Sequence, residues 1–129
     1  MPDRLLLDSN VLIDFLRQWQ EAIDFVQGLR DRPFTSAVVV AELYAGVREG
    51  AEREQLDRLV GGGLRVIRLT RDMGVRGGLF VRQFSKSHAV GLADALIAAA
   101  AEEIGATLVT LNRKHFPMLS DVIVPYIMP

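Results

Sequence analysis

The chain has 129 residues, half of them apolar, with 15 Lys and Arg against 16 Asp and Glu for a formal net charge of −1, and it has no cysteine. One domain with a single core follows from that length, and the near-neutral balance withholds the overall basic signature of a nucleic-acid binder. The lack of cysteine excludes disulfides and thiolate metal sites and favours the cytosol. No apolar run approaches the roughly 18 to 20 residues that a bilayer requires, and the opening Met1-Pro2-Asp3-Arg4 lacks the parts of a signal peptide. The whole of 1–129 is therefore read as one soluble domain with no membrane association.

Residues 5–7 are three leucines running into Asp8-Ser9-Asn10, which predicts a buried parallel strand followed by a helix cap. Val11, Leu12, Phe15, Leu16, Trp19, Ile23 and Phe25 or Val26 then recur at mostly helical intervals. They predict one helix over about 11–29, ended by Gly28 or by Asp31-Arg32-Pro33. Phe34-Thr35 reads as a second strand and Ser36 as the N-cap of the next helix. Three successive valines at 38–40 favour a strand by propensity, but Val40, Leu43, Tyr44 and Val47 repeat at helical spacing, so 37–48 is predicted helical. A helix over 51–60 stops at Gly61-Gly62-Gly63, and 66–69 is strand-like. Thr70 caps a helix over 71–85 that carries an unfavourable Gly77-Gly78 pair. The alanine-rich stretch 92–104 is the strongest helix and ends at Gly105. A buried strand over 107–111 and an edge strand over 122–126, where Pro125 is tolerated, complete the chain. Strands alternate with helices, which predicts an α/β fold: a parallel β-sheet flanked by helices, an α/β/α sandwich with right-handed crossovers.

Three acids lie in or beside apolar segments: Asp8 at the end of the first strand, Glu42 inside the 37–48 helix, and Asp94 in the first turn of the 92–104 helix. A carboxylate in such surroundings is costly unless something pairs with it. Taken singly, Asp8 is explained as a cap and Asp94 by the helix dipole, which is worth about 0.3–1 kcal/mol at an exposed N-terminus. Glu42 sits at the edge of a buried face, where a surface glutamate also fits. Together, three acids on elements that converge on the C-terminal edge of a parallel sheet, where α/β ligand crevices lie, suit Mg²⁺ or Mn²⁺. Asn112, with Thr110 just before it, reaches the same edge from the 107–111 strand.

The blocks Leu7-Asp8-Ser9-Asn10-Val11-Leu12-Ile13-Asp14, Ser36 with Glu42-Leu43-Tyr44-Ala45-Gly46, Asp94-Ala95-Leu96-Ile97-Ala98-Ala99, and Leu108-Val109-Thr110-Leu111-Asn112-Arg113-Lys114-His115-Phe116 resemble, in order and spacing, those of PIN-domain proteins. In particular they resemble the VapC-type ribonuclease toxins of bacterial toxin–antitoxin pairs. The resemblance covers nearly the whole chain. It implies an acidic Mg²⁺ or Mn²⁺ pocket, cleavage of RNA, a homodimer and inhibition by a cognate antitoxin protein. Asp8, Asp94 and Glu42 would be the metal ligands, and Ser9 and Thr110 hydroxyl neighbours of the pocket. Many PIN domains carry a fourth acid after the Thr110-type residue. Here the places for it are Asn112 and His115, neither acidic, so Asn112 is carried as a site residue that ligates through its carbonyl oxygen or holds a metal-bound water. His115 is expected to be a packed loop residue, and His88 has less to recommend it.

The reading that follows is an endoribonuclease whose bound ion activates water against an RNA phosphodiester, leaving a 5′-phosphate and a 3′-hydroxyl. Between Arg65 and Lys86 five Arg and one Lys face the single acid Asp72, either a phosphate-facing patch or a solvated helix face, and Arg82, Lys86 and Arg113 are candidates to hold the RNA backbone. Surplus apolar residues predict a homodimer through the 71–85 helix with Val75, Leu79 and Phe80. An antitoxin segment is expected in a groove walled by Trp19, Leu43 and Tyr44, pointing a cation at the acids. The alternatives are a catalytically degenerate PIN domain that only binds a partner, and a phosphotransfer domain. A receiver needs an aspartate at the end of a central strand, whereas the run 66–69, read as central, ends in Thr70. An aspartate phosphatase needs an acid where Asn10 stands.

Overall fold

The computed structural model describes residues 2–127. Five strands, β1 (Leu5–Leu7), β2 (Phe34–Ser36), β3 (Arg65–Ile67), β4 (Thr107–Val109) and β5 (Val122–Ile123), form one sheet in the order β3-β2-β1-β4-β5. Every pairing is parallel. Six helices flank it: α1 (Ser9–Leu16), α2 (Gln20–Gln27), α3 (Ala37–Gly46), α4 (Ala51–Arg58), α5 (Arg71–His88) and α6 (Leu92–Ile104). None of them is long and apolar enough to cross a membrane.

The central strand is the most apolar. Leu5, Leu6 and Leu7 are all buried, each contributing about 1.5–3 kcal/mol by leaving water. Around them pack Leu108 and Val109 of β4, Val11, Leu12 and Leu16 of α1, and Ile97 with Ala98–Ala101 of α6. The chain runs outward from β1 through β2 to β3, then returns to the other side of β1 for β4 and β5. The reversal falls between β1 and β4, paired from Leu5↔Thr107 to Leu7↔Val109. A parallel sheet opens its crevice at the C-terminal end of such a reversal. That end carries Asp8 and Thr110.

Local expectations hold where capping chemistry set them. Ser36 Oγ accepts from the Val39 N–H at 3.2 Å and Thr70 Oγ1 from the Met73 N–H at 3.2 Å, so both predicted N-caps are real. Gly105 closes α6 in the left-handed region at φ 66°. The valine run folds into α3, as its neighbours' helical spacing required.

The single helix expected over 11–29 is two helices. Gln18 takes a left-handed φ of 64° between them, a conformation that costs about 1–2 kcal/mol outside glycine. The turn lets α1 bury Val11, Leu12, Phe15 and Leu16 against the sheet, while α2 buries only Ala22. Apolar spacing runs unbroken through Trp19 and Ile23, so nothing local announced the break. Helix α5 continues to His88, three residues past its expected end, and α3 stops at Gly46 rather than 48. Strands β3, β4 and β5 are shorter than the apolar runs that marked them. The run read as central, 66–69, supplies β3, which is an edge strand, and Leu69 beyond it is exposed. The helix over 51–60 gives way after Arg58 to a π-helical turn, Leu59–Gly63.

The Gly77-Gly78 pair that argued against α5 has a packing reason on one side only. A Cβ on Gly77 would lie 2.7 Å from Leu96 Cδ2 and 3.3 Å from its Cγ, whereas one on Gly78 would meet nothing within 4 Å. Gly77 is what lets α5 and α6 approach. Gly78→Ala is therefore expected to raise stability by about 0.5–1 kcal/mol, and Gly77→Val to lower it by about 1–3 kcal/mol through overpacking. Urea unfolding of the two variants checks this, and equal effects would contradict the asymmetry.

Candidate active site

Asp8 leaves β1 into the turn before α1 and caps that helix. Its residue is 4% exposed, yet its two oxygens are both held: Oδ1 accepts from the Ser9 N–H at 2.8 Å and Oδ2 from the Thr110 hydroxyl at 2.8 Å. Thr110, fully buried at the end of β4, is itself saturated. Its oxygen donates to Asp8 and accepts from Asn10 Nδ2 at 3.3 Å and from the Asn112 N–H at 3.1 Å, which uses the one proton and two lone pairs of a hydroxyl. Asn10 Oδ1 accepts from the Leu111 N–H at 3.2 Å. The strand ends of β1 and β4 are thus laced together by side chains, and the lacing fixes the Asp8 carboxylate.

Asp94, in the first turn of α6, is 28% exposed on its side chain, and its Oδ2 lies 3.3 Å from His115 Nδ1. The expectation of a packed His115 is wrong. Its side chain is 53% exposed, and Phe116 beside it is the residue that fills the core. A single-turn 3-10 segment, Arg113–His115, carries the imidazole out from β4 toward α6. Asn112, the other residue at the missing fourth acidic position, is exposed and joins the network through its backbone. Glu42 is an exposed residue of α3 whose carboxyl stands within the influence of Ser9, Asp8 and Asp94. The structure thus gathers Asp8, Glu42, Asp94 and Asn112 at one sheet edge and adds two residues the sequence reading undervalued. Asn10 entered it within the first motif and as a missing phosphatase acid, with no partner assigned, and His115 as a place for the fourth acid that was expected to pack instead. The one legible signal for the lacing was a Thr and an Asn placed where apolar runs end.

The electrostatics are those of carboxylates short of positive charge. Burial raises the pKa of Asp8, opposed by its bonds from Thr110 and Ser9, and the charge of Asp94 raises it further. Burial raises Glu42, followed by the charge of Asp8, with Asp94 adding to it. Burial raises Asp94, against the pull of His115. Oxygen donors of this kind suit a hard divalent cation. Among the described residues no three His, Asp or Glu side chains stand close enough together to hold a metal ion between them. An ion held there would rest on one or two carboxylates and complete its shell with water, a coordination Mg²⁺ accepts.

Of the expected groove residues, Leu43 belongs to the core. Tyr44 and Trp19 remain half-buried, the tyrosine hydroxyl bound to Asp57 at 2.5 Å and Trp19 Nε1 enclosed without a hydrogen-bond partner among the described residues. Of the expected dimer residues, Phe80 is core, while Val75 and Leu79 are 60% and 53% exposed. Arg82 is exposed on α5.

Because the folded-state pKa values of Asp8, Glu42 and Asp94 are raised, their protonated forms favour the fold. That stability is present below the ordinary carboxylate range, near 3.8 for Asp and 4.5 for Glu, and is lost as pH rises through the raised values. Without divalent ions, Glu42→Gln is expected to melt higher than the parent at neutral pH, with the difference vanishing in acid. Asp8→Asn gains less, since Ser9 and Thr110 donate to two different oxygens and the amide turns one of them into a donor. Melting curves against pH in chelator check the sign, and a Glu42→Gln protein less stable than the parent at neutral pH would contradict it.

The profile of the PIN domain family matches residues 5–119. Ribonuclease VapC10 of Mycobacterium tuberculosis is 40% identical over 128 residues, covering 97% of this chain and 95% of that protein. Ribonuclease VapC19 of the same species is 34% identical over 125 residues, covering 94% and 98%. A chain of a toxin–antitoxin complex from Klebsiella pneumoniae superposes with a TM-score of 0.80 at 25% identity, over 96% of this chain and 99% of that one. Family membership sets the phosphotransfer alternative aside. With the profile spanning the sheet and its helices, and VapC relatives matching over almost their full length, the chain belongs to the PIN-domain family, in its VapC group.

Proposed function

We propose that the protein is the ribonuclease toxin of a toxin–antitoxin pair, acting in the cytoplasm as a Mg²⁺- or Mn²⁺-dependent endoribonuclease. The observation that carries this reading is the convergence of Asp8, Asp94 and Glu42 at the sheet reversal, each with its charged form disfavoured. Natural folds retain such a cost chiefly where charge serves a site. The relatives named as ribonucleases supply the reaction class.

Asp8 and Asp94, helped by Glu42, would hold the ion. When bound, it supplies Lewis-acid charge at a phosphate and makes water acidic enough to attack at neutral pH. The rest belongs to this chain's own residues. Thr110 and the Ser9 N–H each occupy one lone pair on an Asp8 oxygen and fix its orientation. His115 braces Asp94 and shields part of its charge. Asn112, exposed beside Thr110, would donate its amide to a phosphate oxygen or accept from a water. Attack by water, rather than by the ribose 2′-hydroxyl, leaves a 5′-phosphate and a 3′-hydroxyl.

The antitoxin is proposed to silence this site by placing a Lys or Arg among the three acids, where its charge substitutes for the ion's. An apolar segment lying along half-buried Trp19 and Tyr44 would guide it there. The homodimer is proposed to form through the exposed face of α5 at Val75 and Leu79, one helical turn apart.

Asp94→Asn is expected to reduce RNA cleavage by more than about 100-fold and to abolish saturable Mn²⁺ binding, with the fold intact. Thr110→Val, which keeps shape and loses the brace on Asp8, should cost about 10- to 100-fold, the usual range for residues that orient a metal ligand. Gel assays of RNA cleavage with end-group analysis check both. A wild-type protein that binds the antitoxin but cleaves no RNA in either metal would instead support the degenerate binding module. Leu79→Glu should convert a dimer to a monomer in sedimentation, and a monomeric parent at micromolar concentration would contradict the interface.

A further inference from the structure

Against His115, and with none of the three acids in its lining, an open pocket of about 650 Å³ lies between the last turn of α5 and the Arg113–His115 segment. Lys86 and His88 line it from the helix, and Arg113, Lys114 and His115 from the 3-10 turn. No acidic residue lines it, and Lys86, Arg113 and Lys114 form no ion pair among the described residues. Elsewhere the cations are mostly spent. Arg17, Arg53, Arg71 and Arg76 pair with carboxylates, and Arg4, Arg32 and Arg65 donate to backbone carbonyls.

A bland account exists for half of this. Lys86 and His88 sit in the final turn of an 18-residue helix, where positive charge complements the macrodipole. That account does not reach Arg113 and Lys114, which come from a separate segment after β4 and face the same space. Two elements 27 residues apart in sequence, from Lys86 to Arg113, have been brought together with like charge, which costs energy unless an anion is shared. The pocket's size is that of a small-molecule site rather than of a single ion. Its wall at His115 touches Asp94, so a chain leaving the carboxylate site in this direction enters it directly.

We infer that this pocket is a substrate subsite that holds the backbone phosphates of single-stranded RNA flanking the bond to be cut, through Lys86, Arg113 and Lys114. This deepens the ribonuclease reading and rests on it. An acidic protein segment offers similar charge, but the direct contact between the pocket wall and Asp94 favours the strand that must itself reach the acids. Arg82, a candidate from sequence, does not line the pocket. Acids at the sheet edge and bases beyond His115 would give the site a polarity. The scissile phosphate would sit where only a bridging cation makes it welcome, and its neighbours where the protein itself neutralises them.

The test is equilibrium binding of a mixed-sequence 20-nucleotide single-stranded RNA, by fluorescence anisotropy in chelator so that the strand stays intact, over a series of salt concentrations. All three basic residues are exposed, so the Lys86→Gln/Arg113→Gln/Lys114→Gln variant is expected to keep its circular dichroism spectrum and melting temperature. It should bind at least ten-fold more weakly, with the slope of log affinity against log salt reduced by about 0.7 per cation removed, ~2 in all. Arg30→Gln, in a cleft with Leu5 at the opposite end of the strands, should leave both unchanged. A triple variant with wild-type affinity and slope overturns the inference, as does a pocket that takes poly-glutamate in the same assay and not RNA. Cleavage of the same 20-mer in Mg²⁺ or Mn²⁺ separates this from the parent reading. Binding that depends on the three cations but is never followed by hydrolysis sinks the ribonuclease assignment and leaves the RNA subsite standing.

Discussion

The Asp8 carboxylate occupies a place where a charge is unwelcome, at the buried end of the central strand. What keeps it there is a pair of hydrogen bonds, one from the Ser9 N–H and one from Thr110 Oγ1, which in turn accepts from Asn10 and from the Asn112 backbone. The arrangement depends on the order of the strands. Only because β4 returns to pair with β1 do Asp8 and Thr110 end side by side, at the reversal where parallel sheets open their crevices. Asp94 and Glu42 then add charge around a centre already raised in pKa by burial. Bonds from Thr110 and Ser9 oppose that rise without cancelling it, so the site remains set to gain from a cation.

Fold and site were legible in the sequence to different depths. The alternation of apolar strands and periodic helices was enough for the parallel α/β architecture, and Ser36, Thr70 and Gly105 marked helix ends through capping chemistry that is local by nature. Strand ends were less legible, because apolar character continues beyond the paired residues, as at Leu69 and Leu111. The break at Gln18 was hidden because packing of α1 on the sheet, not a glycine or proline, imposes the left-handed turn. At the site, carboxylates in apolar surroundings stand out in a sequence. Their partners do not, since Asn10, Thr110 and His115 take their meaning from elements a hundred residues away in the chain or on another helix. His115 was misjudged for a related reason: the neighbouring Phe116 supplies the packing, and the imidazole is turned out to Asp94.

The sheet edge is electrically divided. On one side of His115 lie acids whose repulsion is only partly relieved, and on the other lie bases that form no ion pair among the described residues. A nearly neutral chain conceals this, since the two sets cancel in the sum. A phosphodiester strand is a ligand for which both halves have a use, the basic half directly and the acidic half through a bridging cation. The same division would give the proposed antitoxin a way to silence the protein, by placing a fixed cation on the acidic side.

The most direct test of the central claim is anomalous diffraction from crystals soaked in Mn²⁺. A peak bonded to the carboxylates of Asp8, at the end of β1, and Asp94, in the first turn of α6, is the predicted result. An empty site in crystals of a preparation that cleaves RNA in Mn²⁺, or a fully occupied ion bound away from both residues, would contradict it.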